Sequence, residues 1–242
     1  MKRRRFGTIG VLGGLGPEAG AYLLGRIVRE TAAPKDQDHP PVILYSLPQV
    51  PDRTPAILRK GPSPVAAILR GLRTLERAGA DFAVIACVSA HCFLPRIAPR
   101  SRLPLINLID ETLASLQKMH PAPRTVGLLA TTGTVRSGLF ARPFEAAGFE
   151  VLEPSARDQR RVMAAIYGKS GIKAGITTGP PREALLDVAG ELVRRGAEAV
   201  LAGCTEVPLV LQAEDLPVPL VDPISVAARA AVKRAGARLK RR

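Results

Sequence analysis

Short apolar runs alternate along this chain with longer stretches in which apolar residues recur every three or four positions. Residues 8–12 form the first run, ending at glycines, and residues 42–45, 82–86 and 105–107 form three more. Runs of this length bounded by turn formers predict strands buried on both faces. Between them Val65, Ile68, Leu69, Leu72 and Leu75 keep helical spacing, the stripe of a helix laid on a core. Ser63 offers its N-cap, Pro64 the first helical position and Gly79 the stop. Pro17 opens a helix after the first strand, and a further helix is expected from about residue 110 to 119.

The same order of elements comes a second time. Thr8-Ile9-Gly10-Val11-Leu12 returns 117 residues later as Thr125-Val126-Gly127-Leu128-Leu129, and the run ending at Cys87 returns at the same offset as the run ending at Cys204. A third pair, Leu103-Pro104-Leu105-Ile106-Asn107 and Val218-Pro219-Leu220-Val221-Asp222, keeps the order at an offset of 115. Three landmarks in one order predict two halves built alike. The expected fold is α/β, with two pseudosymmetric Rossmann-like domains, each a parallel sheet flanked by helices and joined by right-handed crossovers. A last helix, capped by Asp222 and started by Pro223, is expected to pack back on the first half. That assigns residues 1–118 plus 223–242 to one domain and 119–222 to the other.

Composition changes this picture little: 46% hydrophobic and 23% charged residues without Trp describe a folded chain with an aliphatic core. Charge changes it more. A formal net charge of +14 invites a nucleic-acid partner, but Lys2, Arg3, Arg4, Arg5, Lys233, Arg234, Arg238, Lys240, Arg241 and Arg242 supply ten of the fourteen. Basic ends without interleaved aromatics or a binding module read as solvated tails, and the field they add favours an anionic small molecule. Residues 1–5 resemble the charged start of an export signal, yet Gly13, Gly14, Gly16 and Pro17 break the apolar stretch that follows. No run approaches the roughly 20 apolar residues of a membrane span. The expectation is a cytoplasmic protein whose three cysteines are reduced and available for chemistry.

Two of those thiols carry the functional reading. Ligands of open parallel sheets bind beyond the carboxyl ends of the strands, and Cys87 and Cys204 hold that place in equivalent strands. Either alone would read as a small buried hydrophobe. Two at matching repeat positions, each followed by hydroxyl-bearing residues, point to one shared cleft. Inverting an amino acid without a cofactor takes a base on one face of Cα and an acid on the other, which a thiolate opposite a thiol supplies.

Six stretches, in one order over nearly the whole chain, resemble the aspartate/glutamate racemases, and in particular their aspartate racemase branch. They are Ile9-Gly10-Val11-Leu12-Gly13-Gly14-Leu15-Gly16-Pro17, Pro48-Gln49-Val50-Pro51-Asp52-Arg53-Thr54, Cys87-Val88-Ser89-Ala90-His91, residues 126–134, Gly171-Ile172-Lys173-Ala174-Gly175 and Gly203-Cys204-Thr205-Glu206-Val207-Pro208. The resemblance implies an amino-acid substrate, no pyridoxal phosphate, no metal, and frequently a homodimer. By position it makes Cys87 and Cys204 the proton-transfer pair, Arg53 a forked clamp on a substrate carboxylate and Lys173 a second carboxylate contact. It places Val88, Ser89, Thr131, Thr132 and Thr205 around the substrate, with Thr134 close by. Without it Arg53 reads as a solvated loop charge, Lys173 as a surface lysine and the threonines as a helix cap.

The family usually reads Cys-Asn-Thr-Ala-His where this chain has Cys87-Val88-Ser89-Ala90-His91. Val88 lacks the amide that Asn offers a substrate, a contact whose loss costs about 1–3 kcal/mol. Leu47 also precedes Pro48 where a polar residue is common, so the pocket is expected to be more apolar than that of an aspartate enzyme. The expected activity is racemisation of aspartate, glutamate or a related amino acid. Decarboxylation or isomerisation of a dicarboxylic acid, or binding without turnover, are the alternatives, and retention of both cysteines favours racemisation. Residues 14–19 also fit the G-x-G-x-x-A dinucleotide pattern, but Tyr45-Ser46-Leu47 supplies no acid for a ribose and Pro17 removes an N–H that a pyrophosphate would use. Cys87, His91 and Cys92 are spaced for zinc but lack a fourth ligand; His91 reads as a loop-positioning residue and Cys92 as a structural thiol.

Overall fold

The computed structural model describes residues 6–241. The basic residues Lys2, Arg3, Arg4, Arg5 and Arg242, and the charged start of the export-signal reading, lie outside the described residues. In the first half, strands β1 (Ile9–Gly13), β2 (Val42–Ser46), β3 (Phe82–Ile85) and β4 (Leu105–Ile106) alternate with helices α1 (Pro17–Glu30), α2 (Arg53–Ile57), α3 (Val65–Arg77), α4 (Leu94–Ile97) and α5 (Leu108–Leu116). In the second, β5 (Thr125–Leu129), β6 (Glu150–Leu152), β7 (Ala199–Ala202) and β8 (Leu220–Val221) alternate with α6 (Thr132–Ser137), α7 (Ala141–Ala146), α8 (Ala156–Tyr167) and α9 (Pro180–Arg194), and α10 (Pro223–Arg234) follows.

Each half forms one four-stranded parallel sheet, ordered β2-β1-β3-β4 and β6-β5-β7-β8. The repeat extends to pairing register: Gly10 lies beside Ala83 and, 117 residues on, Gly127 beside Val200. The strands alternate between two interiors, as the two-residue period of a strand requires. Phe82 and Val84 join a central cluster shared with Val126, Leu128, Ala199 and Leu201 of the second sheet. Ala83 and Ile85 face Ile68, Leu72 and Leu75 of α3. A third cluster lies under α8 and α9. The two sheets therefore share one core, with a private core behind each.

Helix α10 packs against α1 and α5. Asp222 caps it by accepting the Ile224 and Ser225 N–H bonds at 2.9 and 3.1 Å, and takes a further bond from Tyr22 Oη at 3.0 Å. The segment after α10 is docked as well, Ala32 N donating to Arg238 O at 2.8 Å and Lys240 N to Glu30 O at 2.9 Å, and at the end of α10 itself the Arg234 guanidinium lies 5.3 Å from the Phe82 ring. The backbone of the described C-terminal end is thus held on the first half, while its basic side chains Lys233, Arg234, Arg238, Lys240 and Arg241 stay exposed, as expected of solvated charges. Two helix starts differ from the sequence expectation. Pro64 precedes α3 instead of opening it, with Ser63 Oγ accepting from Val65 N at 3.4 Å. Helix α5 begins two residues early because Asn107 Oδ1 caps it through Ile109 N. Among the described residues no helix is long and apolar enough to cross a membrane.

Candidate active site

The carboxyl ends of β1, β3, β5 and β7 converge on a small chamber lined by Leu15, Arg53, Cys87, Val88, Ser89, Thr131, Thr134, Tyr167, Lys173, Cys204, Thr205 and Glu206. It holds about 10 Å³ of free space, room for about one water. A larger vestibule of about 560 Å³ lies outside it and shares the walls formed by Leu15, Arg53, Tyr167, Lys173 and Glu206. The glycines after β1 are explained by this packing. Gly14 has φ +88°, and a Cβ there would meet the backbone of Leu47 and Pro48; a Cβ on Gly16 would meet Glu206 Oε1. Their bareness makes room for a crossing backbone segment and a carboxylate, which accounts for the apparent dinucleotide pattern.

Cys87 leaves β3 through a tight turn, its N–H donating to Ile85 O at 2.7 Å, and its Sγ lies 3.4 Å from Ser89 Oγ. His91 secures that loop from behind. Leu108 N donates to His91 Nε2 at 3.2 Å, which places the ring proton on Nδ1, 2.9 Å from Cys87 O. Burial lowers the His91 pKa and keeps the ring neutral. Both ring nitrogens are spent on backbone, and Cys92 Sγ donates to Ser137 Oγ at 3.2 Å across the two halves. The zinc reading therefore fails on donor orientation, and the described residues hold no cluster suited to a metal. Arg53, at the start of α2, is only 7% exposed. Its Nη1 donates to Val50 O and Pro51 O at 3.4 and 3.2 Å, its Nη2 to Leu15 O, and its buried Nε has no partner. Burial opposes its charge, but Cys87, then Asp52 and Tyr167, outweigh that and raise its pKa.

Cys204 occupies the matching place after β7. Its Sγ donates to Glu206 Oε2 at 2.9 Å, Thr205 Oγ1 donates to the same oxygen at 3.1 Å, and Lys173 Nζ holds Oε1 at 2.5 Å. Burial first, and the Glu206 charge second, raise the Cys204 pKa well above the ordinary thiol value. Lys173, expected as a substrate carboxylate contact or a surface lysine, lies on an exposed segment with its side chain folded inward, 23% exposed, and paired with Glu206. Burial opposes its charge, while Glu206 and Cys204 raise its pKa. The two thiols thus meet the chamber in unlike company, Cys87 near a guanidinium and a hydroxyl, Cys204 on a carboxylate.

Thr131 caps α6 through Thr134 N at 3.4 Å, as the helix-cap reading expects, and also lines the chamber. Thr132 does not reach the chamber. As the first residue of α6 it turns toward α8, where its hydroxyl accepts from Gln159 Nε2 at 3.3 Å; Thr134, one turn along the chamber face, takes the place expected of it. Val88 is 1% exposed and contributes to both the chamber wall and the central core. The sequence reading passed over a bridge between the halves: Tyr167 Oη donates to Asp52 Oδ1 at 3.0 Å and lies 3.3 Å from Thr54 Oγ1, which donates to Thr131 Oγ1 at 3.4 Å. Glu206 lies inside the stretch 203–208, whose sequence alone gives it no role. Tyr167 had no local signal at all.

A family model described as Asp/Glu/Hydantoin racemase matches residues 12–231. The chain is 25% identical over 236 residues to the broad specificity amino-acid racemase RacX of Bacillus subtilis, covering 93% of this chain and 96% of that one. Among solved structures it resembles the aspartate racemase of Picrophilus torridus, with 31% identity, a TM-score of 0.86 and coverage of 97% and 96%. It shares the fold of a Francisella tularensis glutamate racemase solved with D-glutamate, at 17% identity, a TM-score of 0.70 and coverage of 95% and 81%. The repeated sheets, the paired cysteines and these likenesses agree: the chain belongs to the Asp/Glu/hydantoin racemase family and is an enzyme of the amino-acid racemase type.

Proposed function

We propose that this racemase carries the Cα proton of aspartate, glutamate or a related amino acid between Cys87 and Cys204, one thiol on each face, without pyridoxal phosphate or another cofactor. The observation that supports this most is the lining of a single chamber by both cysteines, from equivalent strand ends of the two halves. One thiolate removes the proton, the opposite thiol delivers another, and the centre inverts. Negative charge grows on the substrate carboxylate as the proton leaves, and we assign its stabilisation to Arg53, whose Nε–H has no protein partner, and to Lys173, both of which line the chamber. Ser89, Thr131 and Thr205 supply hydroxyls around the substrate, and Val88 an apolar wall. The present chamber admits about one water, so substrate binding requires the halves to part and close again. The three free cysteines fit a cytoplasmic enzyme, and we assign it a homodimer from the family resemblance.

The test is proton exchange in deuterated water with pure enantiomers of a panel of amino acids. Deuterium at Cα together with loss of optical purity is the expected result. Absence of exchange from every amino acid tested would refute the reading and favour the decarboxylase or binding alternatives that Val88 raises.

A further inference from the structure

We infer that Glu206 is the proton partner of Cys204: it takes the Cys204 proton when that thiol must act as base and returns it when the thiol must act as acid. This rests on the two-thiol reading above. It starts from an asymmetry that a pair of equivalent thiols does not require. A racemase must attack from either face, yet Cys204 donates its S–H to a carboxylate at 2.9 Å while Cys87 has a hydroxyl at 3.4 Å. Glu206 is 4% exposed, and its two oxygens accept from three groups, Cys204, Thr205 and Lys173. The charged and titratable groups around it are Cys204 on its own loop, Lys173, Tyr167 from α8, and Arg53 and Cys87 from the first half, with Glu18 and Asp52 on the vestibule side.

The steps balance. With Glu206 ionised and both thiols protonated, Cys204 passes its proton to Glu206, and the Cys204 thiolate removes the Cα proton. Cys87 then protonates the opposite face and is left as thiolate. The enzyme now carries a Cys87 thiolate and a neutral Glu206, the same number of protons as at the start. From this form the other enantiomer is attacked by Cys87, Cys204 delivers its proton to Cα, and Glu206 returns a proton to Cys204. Moving one proton between Glu206 and Cys87 interconverts the two forms, so both hands are served at one ionisation state. Lys173 sets the timing. A substrate carboxylate drawn to Lys173 loosens its grip on Glu206, and a buried carboxylate losing its counter-ion favours the neutral, protonated form.

The experiment compares wild type, Glu206→Gln and Glu206→Asp. Amide and carboxylate oxygens both accept the Cys204 hydrogen bond, but only the carboxylate can take the proton. Wild-type racemisation is expected to be level across neutral pH. Glu206→Gln is expected to be at least a hundredfold slower at pH 7 and to rise about tenfold per pH unit toward alkaline conditions, since it must wait for thiolate to form in bulk equilibrium. Glu206→Asp, slower than wild type, should stay level. Iodoacetamide alkylation of Cys204, read at that peptide by mass spectrometry, provides an arm without substrate. Glu206→Gln should react at least tenfold faster at pH 8, because a negative neighbour of the sulfur is gone. A Gln variant with a wild-type pH profile and wild-type alkylation, or an Asp variant with the Gln profile, would overturn the proposal. If no amino acid exchanges with wild type, the racemase reading falls, and the alkylation arm still decides whether Glu206 governs the Cys204 proton.

Discussion

Replacing Arg53 with Lys keeps the charge and removes the geometry, so it isolates what the fork contributes. In the native chain the guanidinium is nine-tenths buried and satisfies the carbonyls of Val50, Pro51 and Leu15, and its Nε–H has no protein partner. A lysine ammonium is a single point with three donors and cannot reach three carbonyls and a carboxylate together. A charge-assisted hydrogen bond to the substrate is worth about 1.5–3 kcal/mol, which at 1.4 kcal/mol per decade corresponds to a KM raised roughly 10- to 150-fold. Leaving buried carbonyls unpaired should cost a further ~1–3 kcal/mol of folding stability. Racemisation kinetics at several substrate concentrations, with urea denaturation of the same samples, separate the two effects. Arg53→Ala should be worse on both counts. Unchanged KM in both variants would show that Arg53 braces the Leu15 and Pro51 loops and does not meet the substrate.

Cys87→Ser and Cys204→Ser should each abolish inversion while leaving exchange of a single enantiomer in one or both, because an alcohol is a far weaker acid than a thiol; wild-type racemisation by both would make the cysteines bystanders. His91 has its pKa lowered by burial, so the unfolded chain gains a proton near pH 6.5 that the folded chain refuses. Its contribution to stability is complete above that pH and should fade as pH falls below it, by up to about 1.4 kcal/mol per unit, with the slope lost in His91→Asn when stability is measured from pH 7 to 5. Thr131→Ala should cost about 1 kcal/mol as a lost N-cap and reduce turnover, whereas Thr132→Ala, outside the chamber, should leave kcat and KM within twofold of wild type.

The two parallel sheets, their repetition along the chain and the cysteine pair were legible because they rest on short, repeated signals: apolar runs that end at Leu12, Cys87 and Cys204 and recur at one offset. Arg53 was legible only through the family motif, since nothing in Asp52-Arg53-Thr54 by itself says that the guanidinium turns inward to three carbonyls. What the sequence hid is what depends on contacts between distant segments. Tyr167 reaches Asp52 across 115 positions, and Lys173 meets Glu206 across 33; neither spacing carries a periodicity. Thr132 was misplaced for a finer reason. Adjacent residues in the first turn of a helix point about 100° apart, so only the geometry of the cap decides which threonine faces the chamber.

The docking of α10 bears on the order in which the molecule is assembled during synthesis. Leu23 and Ile27 of α1 and Ile109 and Leu116 of α5 belong to the same core as Ile224, Ala227, Ala228 and Ala231 of α10, but the ribosome reaches residue 223 only after the whole second sheet has been made. The second sheet emerges as one continuous stretch, whereas the first must wait with an apolar flank uncovered. The half begun first is completed only after the second, and through that interval its uncovered flank is open to chaperone capture or misassembly.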